Sequence, residues 1–196
     1  MKILRIAFIF AMVAIAGSAS AKDHVFPAKD PYGKVLRRYT KQADHYSLQD
    51  LHAQFILYAT YASEDFRQAF RTEYERVYPY GQEERAKERA APWLAQDPEA
   101  SFFVAIYARK RENMVLAGKK SLQDLSLHVE GKTYKPKLIE KIDITPFEIY
   151  FFNYLNLWFD AYRVVFPYEG LHNRDVAFQL QLHGVAGSGD LNFKKK

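Results

Sequence analysis

Hydrophobic positions along this chain change their period near residue 100, and the change divides a helical part from a strand part. Leu48, Leu51, Phe55, Ala59 and Ala62 recur every three or four residues, the spacing of one face of an α-helix. Ser47, with Asp50 three positions on, predicts the cap of that helix. Ser63 caps a second predicted helix, with Glu64 and Asp65 at the positive end of its dipole. Phe66, Ala69, Phe70, Tyr74 and Val77 supply its apolar face, and Pro79-Tyr80-Gly81 ends it. Two amphipathic helices joined at Ser63 make a helical hairpin. Gln82 to Ala91 has helix-forming composition with almost no apolar side, which predicts an exposed or marginal segment. Pro92 and Pro98 close the helical region, residues 47–98.

Beyond it the pattern is two-residue alternation. Phe102 to Tyr107 is apolar on both parities, as in a strand buried on both faces. Leu125, Leu127 and Val129 alternate with Ser126 and His128, and Glu130-Gly131-Lys132 supplies a turn. Tyr134 to Leu138 is expected to return antiparallel as an edge, because Pro136 cannot donate to a ladder. Trp158, Tyr162, Val164 and Phe166 share one parity opposite Ala161 and Arg163. Val176, Phe178, Leu180 and Leu182 alternate with Ala177, Gln179, Gln181 and His183. Gly184 to Gly189 reads as a glycine-rich turn before Leu191 to Phe193. Short strands at this spacing, with no helix between them, predict an antiparallel sandwich over residues 99–196. In size and spacing that part resembles an immunoglobulin-like domain, without the inter-sheet cysteine pair. The expected fold class is α+β, an N-terminal helical hairpin packed on a C-terminal antiparallel immunoglobulin-like β-sandwich.

The first 46 residues read differently. Lys2 and Arg5 precede an uninterrupted apolar run, Ile6 to Ala16, followed by Gly17, Ser18 and the small residues Ala19-Ser20-Ala21. This order is that of a secretory signal peptide over residues 1–21, with cleavage near Ala21-Lys22. As a helix the run spans only ~16 Å, about half a bilayer core, so no transmembrane anchor is expected after cleavage. A periplasmic or secreted location follows. Residues 22–46 form an extended, basic segment in which Pro27 and Pro31-Tyr32-Gly33 read as turn and linker. Lys34, Arg37, Arg38 and Lys41 stand at helical spacing. Their stripe is either a solvated face or a foothold on an anionic surface such as lipid headgroups or an acidic partner.

Composition removes whole classes of chemistry. The 196 residues include no cysteine, which excludes a disulfide framework, thiolate metal sites and a thiol nucleophile. The formal charge of +5 includes Lys2 and Arg5; losing residues 1–21 removes those two charges and no acid. So mild a surplus on an exported chain does not argue for nucleic acid. His45 and His52, seven apart, would lie about 10 Å apart along a helix, too far for one ion. Gly187-Ser188-Gly189 lacks the Gly-x-Ser-x-Gly pattern of a nucleophile elbow, and no histidine follows it. No metal or cofactor site is expected, and no catalytic set is assigned.

Aromatic density is the one oddity. The chain holds 15 Phe, 14 Tyr and 2 Trp, and the stretch from Phe147 to Tyr168 is crowded with them. One parity fills the sandwich. Tyr150, Phe152, Tyr154, Trp158, Phe159 and Tyr168 are left as candidate binding residues, either seating the helical hairpin or forming an exposed patch. Glu148 and Asp160 lie in the same stretch, where burial among rings would turn a carboxyl into a general acid. The expectation is a secreted, non-enzymatic binding or assembly module of a bacterial envelope. It would act on an envelope protein or glycan through an aromatic surface or an unpaired sheet edge near Tyr134 to Leu138. The alternatives are a carbohydrate-binding module using the same rings and a small hydrolase built on Glu148 or Asp160.

Overall fold

The computed structural model describes residues 30–46, 53–79, 84–95, 98–118, 121–171, 176–185 and 187–193. Residues 1–21, read above as a signal peptide, and Ser47, Asp50, His24, His52 and His172 lie outside them. The described chain is a mixture of helix and sheet in three layers, with two antiparallel sheets and four α-helices. Helix α1 (Pro31–Tyr39) runs into strands β1 (Thr40–Tyr46) and β2 (Ala53–Tyr61), then α2 (Glu64–Val77), α3 (Glu84–Leu94) and β3 (Ala100–Ala108). A 3-10 turn, Arg111–Met114, leads to β4 (Gln123–Val129), β5 (Lys132–Tyr134), β6 (Leu138–Ile142), α4 (Pro146–Phe151), β7 (Asp160–Phe166), β8 (Phe178–Gly184) and β9 (Gly187–Phe193). The larger sheet is ordered β1-β2-β3-β7-β6 and the smaller β5-β4-β8-β9.

Three expectations are corrected here. The helix predicted over 48–62 is strand β2 in its described part. Phe55, Leu57, Ala59 and Tyr61 face the smaller sheet, while Ile56, Tyr58 and Ala62 face the helices. A strand covered on both sides is apolar on both parities, so a helical period can be picked out of it by chance. Its Phe, Ile, Leu, Tyr and Thr content carries the β signal instead. α2 packs against both α1, through Tyr32, and α3, which forms from the segment expected to be exposed or marginal, with Ala86, Ala90 and Trp93 buried. The sheets are accordingly not confined to residues 99–196, because β1 and β2 belong to the larger one.

The second correction concerns the basic segment. Pro31-Tyr32-Gly33 is not linker but the first turn of α1: Asp30 Oδ1 accepts from Gly33 N at 2.7 Å, and Pro31 occupies the first turn, where its missing N–H costs nothing. Lys34, Arg37 and Arg38 are exposed on this helix, but it ends at Tyr39, so Lys41 stands half-buried on β1 and the stripe is broken. The third concerns the edge. Strand β5 stops at Tyr134, and Pro136 sits in a link that carries the chain to β6 at the far edge of the other sheet. Tyr134 ends β5, Leu138 begins β6, and residues 135–137 between them are a crossover rather than part of one strand.

Two packed cores account for the rest. Between the sheets lie Phe55, Leu57, Phe102, Val104, Ile106, Leu127, Tyr162, Val164, Phe166, Leu180 and Leu191. Between the larger sheet and the helices lie Leu36, Phe66, Phe70, Trp93, Phe103, Phe151, Phe152 and Phe159. The middle sheet is thus buried on both faces, as the double apolar parity of β3 predicts. Ser63 caps α2 as expected, its Oγ accepting from Phe66 N at 3.1 Å. Glu130 (φ 49°) and Gly131 (φ 77°) make the tight β4–β5 turn, with Val129 opposite Lys132. At the corner where β9 crosses β1, a side chain at Gly189 would place its Cβ 3.0 Å from Ala43 Cβ, so a glycine lets the sheets meet.

A chain of hydroxyls runs through the helix layer. Thr40 Oγ1 donates to Leu36 O at 2.7 Å, which makes it the acceptor from Thr60 Oγ1, and Thr60 in turn the acceptor from Tyr154 OH, each at 2.7 Å. Arg67, only 2 % exposed, donates to the carbonyls of Ala62, Pro92, Trp93 and Ala95. It ties α2 to the C-terminal end of α3, where the helix dipole favours a cation.

Candidate functional site

Strand register divides the molecule into two ends. Tyr46 stands opposite Ala53, Phe55 opposite Ala108, Ile106 opposite Asp160 and Ile142 opposite Ala161. These pairs mark one end of the larger sheet. The smaller sheet shares it: Gln123, Gly184 and Gly187 are in register, Gln123 Nε2 donates to Asn113 O at 3.0 Å, and Gly187 lies beside Phe55. Among the described residues, seven large apolar side chains are exposed, and five of them, Tyr46, Leu122, Leu157, Trp158 and Val185, sit at this end. Leu138 marks the opposite end, and Tyr150 belongs to the helix layer.

Local structure explains why these side chains point outward. The loop from α4 to β7 is pinned by buried Tyr154, Leu155 and Phe159, whose ring packs 5.7 Å from Tyr58 and 6.1 Å from Tyr107. Asn156 Oδ1 accepts from Trp158 N at 2.9 Å and Asn156 O from Phe159 N at 3.3 Å, forming a tight turn. Leu157 and Trp158 project from it, 72 % and 75 % exposed. Leu122 and Val185 meet across the smaller sheet, Val185 N donating to Leu122 O at 3.4 Å. Arg109, Lys110 and Arg111 follow the end of β3 and are exposed, and Met114 and Leu116 close the core beneath them. Tyr162 OH fixes that closure by donating to Met114 O at 3.0 Å. Burial, and then the neighbouring Tyr46 and Asp44, raise the Tyr58 phenol above its usual range.

The six candidate aromatics separate. Phe152, Tyr154 and Phe159 are buried under the helices and are closed to a partner. Phe152 stacks on Phe103 with ring centroids 3.7 Å apart and planes 10° from parallel. Tyr168 is half-buried against Tyr134 at the opposite end of β7 from Trp158, about 20 Å along the strand. Tyr150 lines an open groove of about 560 Å³ with Asp30, Tyr32, Gly33, Pro146, Ile149 and Asn153. Its hydroxyl donates to Glu73 Oε1 at 2.5 Å and accepts from Arg76 Nη2 at 2.6 Å. The Arg76 hydrogen bond holds Glu73 below the usual carboxylate range, while burial and Glu73 raise the Tyr150 phenol. Trp158 alone of the six stands fully out.

The two acids singled out in the sequence are structural partners. Glu148 is 3 % exposed; its Oε2 accepts from Thr145 N at 2.9 Å, completing the capping box of α4, and its Oε1 accepts from Arg89 at 2.9 Å. Asp160 pairs with Lys141 at 3.1 Å. Neither lines the groove beside Tyr150. His128 rests between Ser126 and Thr133 hydroxyls at 3.0 Å each, and His183 against Ser188 at 3.1 Å. No group of three or more His, Asp or Glu among the described residues is placed to hold a metal. Ser188 lies within β9, so the glycine-rich turn is tighter than the sequence implied: Gly184 pairs with Gly187.

No described helix is long and apolar enough to cross a membrane. Comparison of the chain with protein-family models, curated proteins and solved structures finds no match. The sequence did not point to Tyr46, Leu122, Val185 or the Arg109–Arg111 run. Their common signal is an apolar or basic residue directly beside a strand end.

Proposed function

We propose that this protein is a non-enzymatic binding or assembly module of a bacterial envelope, exported by its N-terminal segment, which works through the loop-bearing end that carries Trp158. The observation that supports this most is the gathering of five exposed apolar side chains at one end of the sandwich. Apolar surface concentrated in this way marks an interaction site, whereas single scattered residues do not. Packed sheets used as a rigid support for recognition loops are also how immunoglobulin-like modules work, although those lack a helix layer. The strand edge is the weaker route. Strand β6 carries Glu140 and Lys141, with Lys137 just before it, and charges blunt edge pairing. A glycan platform would need several rings in a row, and burial of Phe152, Tyr154 and Phe159 leaves Trp158 without companions of its own loop.

Acrylamide quenching of Trp158 emission tests the proposal, with a Trp158→Phe protein supplying the blank for buried Trp93. Isolated envelope fractions should shield Trp158. Equal quenching with and without them would sink the binding role.

A further inference from the structure

We propose that the partner of this end is an anionic lipid surface, against which the protein stands with its strands pointing into the bilayer interface. The inference rests on the binding role of that end and specifies what it meets. The exposed apolar residues are not a flat face of the kind two proteins share. They stand on separate connections: the end of β1 (Tyr46), the approach to β4 (Leu122), the α4–β7 loop (Leu157, Trp158) and the β8–β9 turn (Val185). Several short tips of this kind enter a fluid interface without a shaped counterpart. Tryptophan is the side chain that favours the headgroup level, with its ring among the acyl carbons and its N–H in the polar layer.

Charge distinguishes a bilayer from the other occupants. Lys110 and Arg111 stand exposed beside the tips, with Glu112 as the acid of that run and Asp143 exposed just past the end of β6. Asp160, at the same end, is already paired with Lys141. Asp44 is set back two residues, about 7 Å, from the Tyr46 tip. A basic run next to apolar tips complements anionic headgroups. A second copy docked symmetrically end to end would press this cationic run against itself. Beside the α1 stripe of Lys34, Arg37 and Arg38 the described residues offer only Tyr150 as an exposed large apolar side chain, and its hydroxyl is tied to Glu73 and Arg76, so the stripe is not the foothold.

The test uses the full chain with vesicles of phosphatidylglycerol and phosphatidylethanolamine, or of phosphatidylcholine alone. Because residues 6–16 are themselves apolar, co-sedimentation is uninformative and the readout is Trp158, with W158F as the blank. In anionic vesicles, Trp158 emission should shift to the blue and be quenched by spin labels placed near the headgroup end of the acyl chain. Each basic residue at an anionic surface contributes roughly fivefold in partition, so Lys110→Glu with Arg111→Glu should weaken the quenching isotherm by more than about tenfold. Phosphatidylcholine should give a comparable loss. Absence of spin-label quenching in anionic vesicles would overturn the inference. If Trp158 is then still shielded from acrylamide by an envelope protein fraction, the binding role survives and only the bilayer falls; if it is shielded by neither, both fall.

Discussion

The two ends of the paired sheets are built from the same kinds of residue and treat them in opposite ways. At the end where the helices join, Phe178 and Phe193 stack with ring centroids 4.7 Å apart, and Phe102 receives Phe166 and Phe193 edge-on at 5.8 Å. Tyr61 fits against Phe178 at 5.2 Å. α1 enters β1 there, β2 leaves there toward α2, and α3 delivers the chain to β3. At the other end α4 and its following loop join β6 to β7, a 3-10 turn leads from β3 toward β4, and Tyr46, Leu157 and Trp158 meet solvent. Aromatic density therefore says little about binding by itself. A ring works on a partner only where no second layer of the same chain covers it.

The sharpest way to break the comparison is to remove a covered ring. Phe152→Ala takes away a ring stacked on Phe103, edge-on to Trp93 and fully buried. Equilibrium denaturation should show a loss of about 3–5 kcal/mol, the usual cost of emptying such a site. A loss below about 1 kcal/mol would mean that the helix layer does not clamp the sheet. Alkali probes the same layer without a mutation. Burial raises the Tyr32, Tyr61 and Tyr154 phenols above the usual value of 10.0. A folded value above the unfolded one gives stability that is complete below about pH 10 and is lost as pH rises further. Each phenol then contributes up to about 1.4 kcal/mol per pH unit. Tyrosinate absorbance from these three should therefore appear only together with loss of near-ultraviolet dichroism. Their ionisation in a still-folded protein would show the layer to be open to water.

Legibility in the sequence followed how many faces an element buries. Strands β4 and β8 each cover one face, so Leu125, Leu127 and Val129, and likewise Phe178, Leu180 and Leu182, alternate with polar residues and are read directly. The cap at Ser63 was legible because its chemistry is local. Strand β2 was not, since both parities are apolar and the pairing with β3 that selects strand over helix lies about forty to fifty residues away in sequence. α3 was underestimated because Ala86 and Ala90 are small enough to look like a polar helix face, and because Arg67, which holds its C-terminal end, comes from α2. The site was half legible. Trp158 stood out by type, but nothing local tells that Phe159 turns inward against Tyr58 and Tyr107 while Leu157 and Trp158 turn out. Leu122 and Val185 become neighbours only once β4 and β8 pair.

The smallest expected effect on stability is the most telling about function. Trp158→Ala removes the largest side chain type in the protein from a position that is 75 % exposed and donates only its backbone N–H to Asn156. Nothing folds over the ring, so denaturation should register less than about 0.5 kcal/mol. Phe159→Ala, one residue on, should cost several times more, because that ring fills the space between Tyr58 and Tyr107. The neighbouring pair thus carries the contrast between the ends within two positions. Should Trp158→Ala prove as costly as Phe159→Ala, the indole would be part of the core and this end would have no surface to offer. If it is nearly silent in denaturation yet abolishes shielding in envelope fractions, the ring is retained for contact rather than for folding.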